Sequence, residues 1–164
     1  MKQDFVKLIE KAEQKANANK AFFEAVSKNP PKTYDQDCKE IHDAVFEKTD
    51  CLDCANCCKT TGPLFNSKDI DQISKHLSLT PHQFVNEYLK KDEDGDWVLQ
   101  TLPCFFLDKD NKCTIYEHRP QACREYPHTD RIKNYEIKDL TLENVKICPA
   151  AFEIVEKMRL KMNI

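Results

Sequence analysis

The sequence predicts a mainly α-helical fold with one small β-hairpin, in a compact single domain whose middle is stapled by cysteine-bound metal. Apolar residues recur at three- and four-residue steps through much of the chain, which is the period of amphipathic helices. Only two of the 164 residues are glycine, too few for an all-β protein built on tight turns. Eight of the nine cysteines fall between residues 51 and 148. We therefore expect an N-terminal helical segment, residues 1–48, packed on a cysteine-cluster domain, residues 49–164.

The N-terminal segment is predicted to contain two helices. The first covers residues 3–27 and is ended by the two prolines of residues 29–31. The second covers residues 34–48, and Cys38 falls on its apolar stripe. Because a free cysteine at a core position behaves as a small hydrophobic residue, we leave Cys38 out of the metal-binding set.

The middle of the chain carries clear signals for helix starts. Ser67 is expected to cap a short helix. Thr80 caps a second helix, in which Pro81 is the first residue and Gln83 closes a capping box. This helix is expected to end near residue 90, where an acidic turn leads into a β-type run at residues 97–99.

The hairpin is expected further along. Two short β-type runs, residues 105–107 and 112–116, flank a turn rich in Asp and Asn. If the turn centres between residues 109 and 110, Cys113 lies opposite Phe106, and Cys104 lies on the same face of the sheet.

The last third of the chain is predicted to be helical at both ends. Pro120 opens a helical turn that residues 126–127 end. The polar stretch 128–140 is expected to be a loop, followed by a helix from about residue 140 and a final helix opened by Cys148 and Pro149.

Charge and hydropathy exclude several classes of partner. The chain has 25 basic and 28 acidic residues, a net charge of −3, so we expect no nucleic-acid partner. It contains no apolar stretch typical of a signal peptide or a membrane span, so we expect a cytoplasmic protein with no membrane partner. In that reducing compartment cysteines are more often metal ligands than disulfides, and the odd count agrees.

The cysteines are the chemical core of the prediction. The proposed metal ligands are the C-x-x-C-x-x-C-C run and four later cysteines: Cys51, Cys54, Cys57, Cys58, Cys104, Cys113, Cys123 and Cys148. Thiolates are soft ligands that favour Zn²⁺, Cu(I) and iron–sulfur clusters. Each C-x-x-C unit places two sulfurs on one metal, and remote cysteines complete a tetrahedron. Spacing alone leaves the grouping of the eight open.

Three metal functions remain open at this point. One or two structural zinc ions would leave no open coordination position, and a protein surface would then serve an unidentified partner. An iron–sulfur protein with redox or transferase activity is the alternative, because Cys51, Cys54 and Cys57 with Cys148 and its following proline have a ferredoxin-like spacing. Metal storage or delivery is the third and predicts exchangeable metal.

Signals for catalysis are weak, and whether the protein is an enzyme stays open. The chain has no glycine-rich phosphate loop, no nucleophile elbow and no H-E-x-x-H motif. His118 and His128 flank Cys123 and could replace a cysteine as ligand. The other histidines are expected to be bystanders on helix surfaces: His42, His76 and His82.

Several motifs together carry a resemblance to a known family. They are the run at residues 51–58, Pro-Cys-Phe-Phe-Leu at 103–107, and the segment from Cys113 to Pro127 that includes Tyr-Glu-x-Arg-Pro-x-x-Cys-Arg. Over roughly residues 50–150 the chain resembles the YkgJ-type cysteine-cluster family, a zinc- or iron-chelating domain. The chain has Ala55 and Asn56 where that family often has Gly after the second cysteine.

The resemblance implies metal chelation and does not imply a particular reaction. The cysteine pattern is also similar to that of the much longer flagellin lysine N-methylases, which is why the iron–sulfur alternative includes a methyltransferase-like activity. Two motif arginines, Arg119 and Arg124, are candidate cofactor-binding residues that donate to cysteine sulfurs or offset the charge of the site. Surface ion pairs with Glu117 and Glu125 are the alternative role.

Overall fold

The computed structural model describes the backbone of residues 2–163 and the side chains of residues 6–163. Helices dominate, and one two-stranded antiparallel sheet accompanies them, which confirms the predicted fold class. By packing, the chain falls into two units: unit 1 extends to Cys54 and resumes at Pro127, and unit 2 is Ala55–Tyr126. The division at residues 48 and 49 stays a prediction.

Over the residues that the structure describes, unit 1 is entirely helical in its regular structure. Its α-helices are α1 Lys2–Gln14, α2 Ala16–Lys28, α3 Tyr34–Phe46, α4 Cys51–Cys54, α9 Lys138–Ile147 and α10 Pro149–Met162. The prediction of one helix over residues 3–27 is wrong, because Lys15 leaves helical geometry at φ −101° and ψ 7°. The helix predicted from residue 34 is confirmed. The 128–140 stretch is not all loop, since a 3-10 turn covers Asn134–Ile137 and α9 begins at Lys138.

The core of unit 1 forms around α10, which packs against α1, α2, α3 and α9. Its fully buried apolar side chains include Phe22, Phe23, Ala151, Val155 and Met158. Cys38 is 0 % exposed in this core, so the burial predicted for it is confirmed. Burying such side chains contributes roughly 1.5–3 kcal/mol each for the larger ones, and this is what holds the separate helices together.

A buried polar connection joins α3 to the segment before α9. The Tyr34 hydroxyl donates to Asn134 Oδ1 at 2.5 Å. The Asn134 side-chain nitrogen donates to the Thr129 carbonyl at 2.7 Å. Since buried polar groups are costly when unpaired, these bonds define the path of the chain between Thr129 and Asn134.

Unit 2 combines short helices with the sheet. Its elements are α5 Asn56–Thr60, α6 Ser67–His76, α7 Pro81–Tyr88, β1 Leu89–Lys91, β2 Trp97–Leu99, a 3-10 turn Tyr116–His118 and α8 Gln121–Glu125. Thr80, Pro81 and Gln83 form the predicted capping box of α7, which is confirmed. The cap predicted at Ser67 is wrong by one residue. Asn66 takes that place, because its side chain accepts from the Asp69 N–H while the Asp69 carboxylate accepts from the Asn66 N–H.

The β-hairpin lies at a different place from the one predicted. It joins β1 to β2, with Leu89 opposite Leu99 and Lys91 opposite Trp97. Its turn is organised by Asp92, whose Oδ1 accepts from the N–H groups of residues 94 and 96. Gly95 has φ +83°, a left-handed conformation that glycine adopts without strain.

The predicted hairpin at residues 105–116 is reduced to a single bridge. Leu107 pairs with Cys113, so the prediction that Cys113 faces Phe106 is wrong by one position. The cause is the loop between them. Asp108 Oδ1 accepts from the N–H groups of residues 110 and 112, which makes a loop of residues 108–112 centred on residue 110 rather than between residues 109 and 110.

Aromatic rings form much of the core of unit 2. Phe84 is fully buried, and its ring packs against those of Phe65, Tyr88 and Phe106 at centroid distances of 6.1, 5.3 and 6.4 Å. Ile73 is also fully buried in this cluster. Among the described helices, none has the length and apolar character needed to cross a bilayer.

Candidate metal centre

The C-x-x-C-x-x-C-C run folds as two very short helices. Cys51 and Cys54 begin and end α4, and Cys57 and Cys58 lie in α5. Ala55 between them is left-handed, with φ 49° and ψ 21°. All nine cysteines of the chain are free thiols.

In unit 2, four thiols from separate segments interact electrostatically with one another. Cys58 comes from α5, Cys104 from a loop, Cys113 from the bridge and Cys123 from α8. Negative charge on any of the first three raises the pKa of Cys123, and Cys58 and Cys113 act in the same way on Cys104. A backbone hydrogen bond of 2.8 Å from the Cys104 N–H to the Cys58 carbonyl ties two of the segments together.

Burial keeps three of these thiols protonated in the absence of metal. Desolvation is the largest cause in each case, raising the pKa of Cys123 to about 12 and of Cys104 to about 11, and it also raises the pKa of Cys113. A metal ion must therefore displace their protons, and its affinity should rise with pH.

Cys58 differs from its neighbours. Its pKa is lowered to about 7, first by a hydrogen bond from the Cys57 thiol and further by the Lys59 charge, against the opposing effect of burial. A thiol with such a pKa is partly thiolate near neutrality, and the thiolate is the form that binds metal. Cys58 is therefore the thiol of this group best prepared to make a first bond to an ion.

Backbone N–H groups point at several of the sulfurs. Cys104 accepts from the N–H groups of Phe106 and Leu107, and Cys113 accepts from that of Ile115; each of these bonds lowers the pKa of its cysteine. Hydrogen bonds of this kind stabilise a charged sulfur over a neutral one. These donors were not predicted from the sequence. The available signal was a residue other than proline, and therefore one with an N–H, two positions after each cysteine.

Unit 1 holds a second group of thiols. Cys148 precedes α10, and its sulfur accepts from the Ala151 N–H at 3.4 Å. Burial raises the pKa of Cys148 to about 12, and the Ala150 N–H donates to the same sulfur. Charges on Cys51 and Cys54 also raise that pKa, so the three thiols of this unit interact.

Arg119 lies beside the thiols of unit 2. Its guanidinium stacks on the Tyr116 ring at 3.8 Å and donates to the Tyr116 carbonyl at 3.1 Å. Its positive charge lowers the pKa values of Cys113 and Cys123. Arg124 in turn donates to the Arg119 carbonyl. The Arg119 guanidinium is thus held by its contact with the Tyr116 ring and by one donated hydrogen bond, while its charge lowers the pKa values of two cysteines.

The histidines lie in several environments. The centroid of the His118 ring lies 4.1 Å from that of His76, with the two rings tilted by 32°, and His118 Nδ1 lies 3.4 Å from Gln72 Nε2. His42 is not the surface bystander that was expected. It is half-buried on α3, and its Nδ1 lies 2.8 Å from the Thr129 hydroxyl. The expectation for His42 is corrected because the folded segment before α9 covers this face of α3.

The donor set suits a soft metal ion, although the side chains are not yet closed around one. Among the described residues, no three His, Cys, Asp or Glu side chains already stand as the ligands of an ion. Closing a four-thiolate site would therefore require side-chain rotation and loss of the thiol protons. The backbone N–H donors to these sulfurs and the nearby Arg119 charge favour the thiolate form that such closure needs, whereas burial of the sulfurs opposes it.

These features define a cysteine-rich, metal-chelating domain of mainly helical structure. The family model described as "Putative zinc- or iron-chelating domain", with the motif CxxCxxCC, matches residues 50–149. The chain belongs to this family. The match covers all eight of the cysteines predicted as ligands and leaves out Cys38.

One relative is an uncharacterized protein of Methanocaldococcus jannaschii, MJ0661, which is 30% identical over 87 residues. The alignment covers 51% of this chain and 47% of the relative, so the chain spans about half the length of the curated relative that it matches. No solved structure matches the chain.

Proposed function

We propose that this protein chelates zinc or iron through two separate groups of cysteine thiolates, and that the bound metal is structural. The observation that carries the proposal is the mutual electrostatic influence of four thiols from four segments of unit 2. Four thiolates are the complete ligand set of a closed tetrahedral zinc site.

The first proposed ligand group comprises Cys58, Cys104, Cys113 and Cys123. The second, in unit 1, includes Cys51, Cys54 and Cys148. Cys57 remains the eighth proposed ligand, and its hydrogen bond to Cys58 also prepares that neighbour for metal binding. Arg119 and Arg124 are proposed to offset the negative charge of a four-thiolate site rather than to touch the ion.

A structural role for the metal is supported by the chain segments that its ligands would connect, because these segments have little regular structure to hold them together. The four thiols of unit 2 come from α5, a loop, a single β-bridge and the five-residue α8, segments with few regular backbone hydrogen bonds between them. Structural zinc sites contribute on the order of 10–16 kcal/mol to folding in small peptides. We also propose a cytoplasmic location, because nine free cysteines suit a reducing compartment.

An iron–sulfur protein with redox or methyltransferase-like activity is the second candidate. Its support is the ferredoxin-like spacing of the first three cysteines and the N–H donors to cysteine sulfurs, which also tune the potentials of such clusters. Such a cluster would supply electron transfer, and the protein would supply the thiolates and their hydrogen bonds.

The test is elemental analysis with an absorption spectrum on protein purified without oxygen. We expect about two zinc ions per chain and no visible band, because d¹⁰ zinc thiolates are colourless. Iron with inorganic sulfide and a broad band near the blue end would replace the zinc proposal by the second candidate. Protein that binds neither metal, even after reconstitution, would contradict both.

Cysteine variants test the ligand assignment. Cys104→Ser should lose about one metal equivalent, because it removes one of four ligands from the unit 2 group. The matched control is Cys38→Ser, which also replaces a largely buried thiol but should keep all of its metal. Loss of metal from the Cys38 variant, or full retention by the Cys104 variant, would refute the assignment.

A further inference from the structure

Unit 1 contains a cleft, of about 490 Å³, that is distinct from the cysteine groups. One side is formed by the junction of α1 and α2, with Ala12, Ala16 and Lys20, and the other by α9, with Leu142 and Val145. This volume lies in the range of small-molecule sites. The walls are mostly apolar, so a ligand would gain by burying apolar surface there.

Asn19 lies at the floor of this cleft, and its buried carboxamide makes no hydrogen bond with the described residues. Its residue is 0 % exposed, and neither Nδ2 nor Oδ1 of its carboxamide has a hydrogen-bond partner among the described residues. A buried polar group without a partner costs free energy, and such groups in folded proteins call for a functional or structural explanation. An alanine or leucine here would avoid this cost.

The chemistry of Asn19 specifies the kind of group that would pair with it. A carboxamide offers a donor and an acceptor side by side, so its complement is another amide edge: a primary amide, a lactam or the like. The mouth of the cleft carries two lysines and two acidic residues: Lys20, Lys146, Asp139 and Glu143. Their formal charges cancel, and Lys146 already pairs with Glu143 at 2.5 Å, so the site does not select for an ion.

We propose that the cleft between α1, α2 and α9 binds a small neutral molecule by a primary-amide or lactam edge paired with Asn19. Binding includes a rearrangement of side chains at the floor, because the carboxamide is covered in this structure. The ligand then satisfies both atoms that the fold leaves unpartnered. This site is independent of the proposed metal function, since its residues include no cysteine.

The test is an NMR titration of the metal-loaded, ¹⁵N-labelled protein with 2-piperidinone, a six-membered lactam. We expect saturable shifts of the Asn19 side-chain NH₂ resonances and of amides in α2 and α9. N-methyl-2-piperidone is the matched control ligand, because it keeps the carbonyl and lacks the N–H donor. We expect it to bind about tenfold more weakly, the effect of one lost hydrogen bond.

Two variants make the result specific. Asn19→Ala should weaken binding of the lactam by about tenfold or more, whereas Asn29→Ala, at the exposed end of α2 and outside the cleft, should leave it unchanged. The proposal is overturned if the lactam causes no saturable shift, or if Asn19→Ala binds it as the wild type does. Should that variant fail to fold, equal binding of the two lactams by the wild-type protein would be equally decisive.

Discussion

Ala55 holds a left-handed backbone conformation between the short helices α4 and α5, and it is 4 % exposed. A residue with a Cβ pays roughly 1–2 kcal/mol for this conformation, which is why glycine is favoured there. The family resembled by the motif often has glycine after the second cysteine, and the backbone angle of Ala55 supplies a physical reason for that preference.

Substitution of Ala55 tests the importance of this conformation. Ala55→Val should lower the free energy of unfolding by about 2 kcal/mol or more and reduce the metal content, because a β-branched residue is strained there and overfills a buried position. The free energy of unfolding of Ala55→Gly should stay within about 1 kcal/mol of the wild-type value. Glycine relieves the backbone strain, and this gain offsets the loss of a buried methyl group and the greater conformational freedom of the unfolded chain. Urea unfolding and metal analysis measure both effects. A valine variant with wild-type stability and metal content would contradict the prediction.

His42 provides a prediction on pH. Burial is the main cause that lowers its pKa below the ordinary value of about 6.5, while the Asp130 carboxylate, 3.9 Å away, acts in the opposite direction. The unfolded chain therefore takes up this proton first as the pH falls, so this residue's contribution to stability is lost as the pH drops below the ordinary pKa.

The His42 titration can be followed directly by NMR of its imidazole. We expect a midpoint below the ordinary histidine value of about 6.5, and a further decrease in Asp130→Asn, because that change removes a charge that favours the protonated ring. A midpoint that rises or stays constant in Asp130→Asn would show that the carboxylate does not act on the ring.

At the scale of elements, helix caps determine where α6 and α7 begin. Both helices have reciprocal capping boxes, with Asn66 and Asp69 in α6 and Thr80 and Gln83 in α7. Each box satisfies N–H groups that the first turn of a helix otherwise leaves without an intrahelical partner. Ser67 is also a residue type that caps helices, which is why the sequence alone placed the first cap one position late.

Removal of the α7 cap has a predictable cost. Thr80→Ala should lower the free energy of unfolding by about 1 kcal/mol, because the Gln83 N–H loses its acceptor, the Thr80 hydroxyl. Thr101→Ala, an exposed threonine outside the helices, is the matched control and should change stability by less than about 0.5 kcal/mol. Equal effects of the two substitutions in urea unfolding would argue against the cap as the cause.

At the scale of the whole molecule, the two units differ in how much apolar core they possess. Among the described residues, fourteen form the buried core of unit 1 and eight that of unit 2. A small core contributes less hydrophobic stabilisation, and small domains commonly depend on metal or disulfides for that reason. Unit 2 should therefore depend more strongly on bound metal than unit 1.

Metal removal with a chelator tests this difference by hydrogen–deuterium exchange. We expect exchange to increase first in α5, the loop around Cys104, and α8, while α3 and α10 keep most of their protection through the core of unit 1. Addition of zinc should restore the original pattern. Increased exchange that begins in α3 and α10 would contradict the stronger dependence of unit 2 on bound metal.

The sequence by itself determined the helical class, several helix starts, the burial of Cys38 and the membership of a cysteine-rich, metal-chelating family. Each of these depends on local information: the period of apolar residues, a cap within three positions, or the softness of sulfur as a ligand. The Thr80 cap and the Cys148 start of α10 could be predicted for this reason.

Only the tertiary structure decided which thiols act together and which polar groups are buried. Cys58, Cys104, Cys113 and Cys123 are brought into mutual influence by a fold that no spacing rule specifies. The pairing of Leu107 with Cys113 depends on hydrogen bonds within the Asp108 loop. The burial of His42 depends on contact with Thr129, in a segment nearly ninety residues away. These features arise from contacts between residues distant in sequence, whose free energies are set only when the whole chain packs.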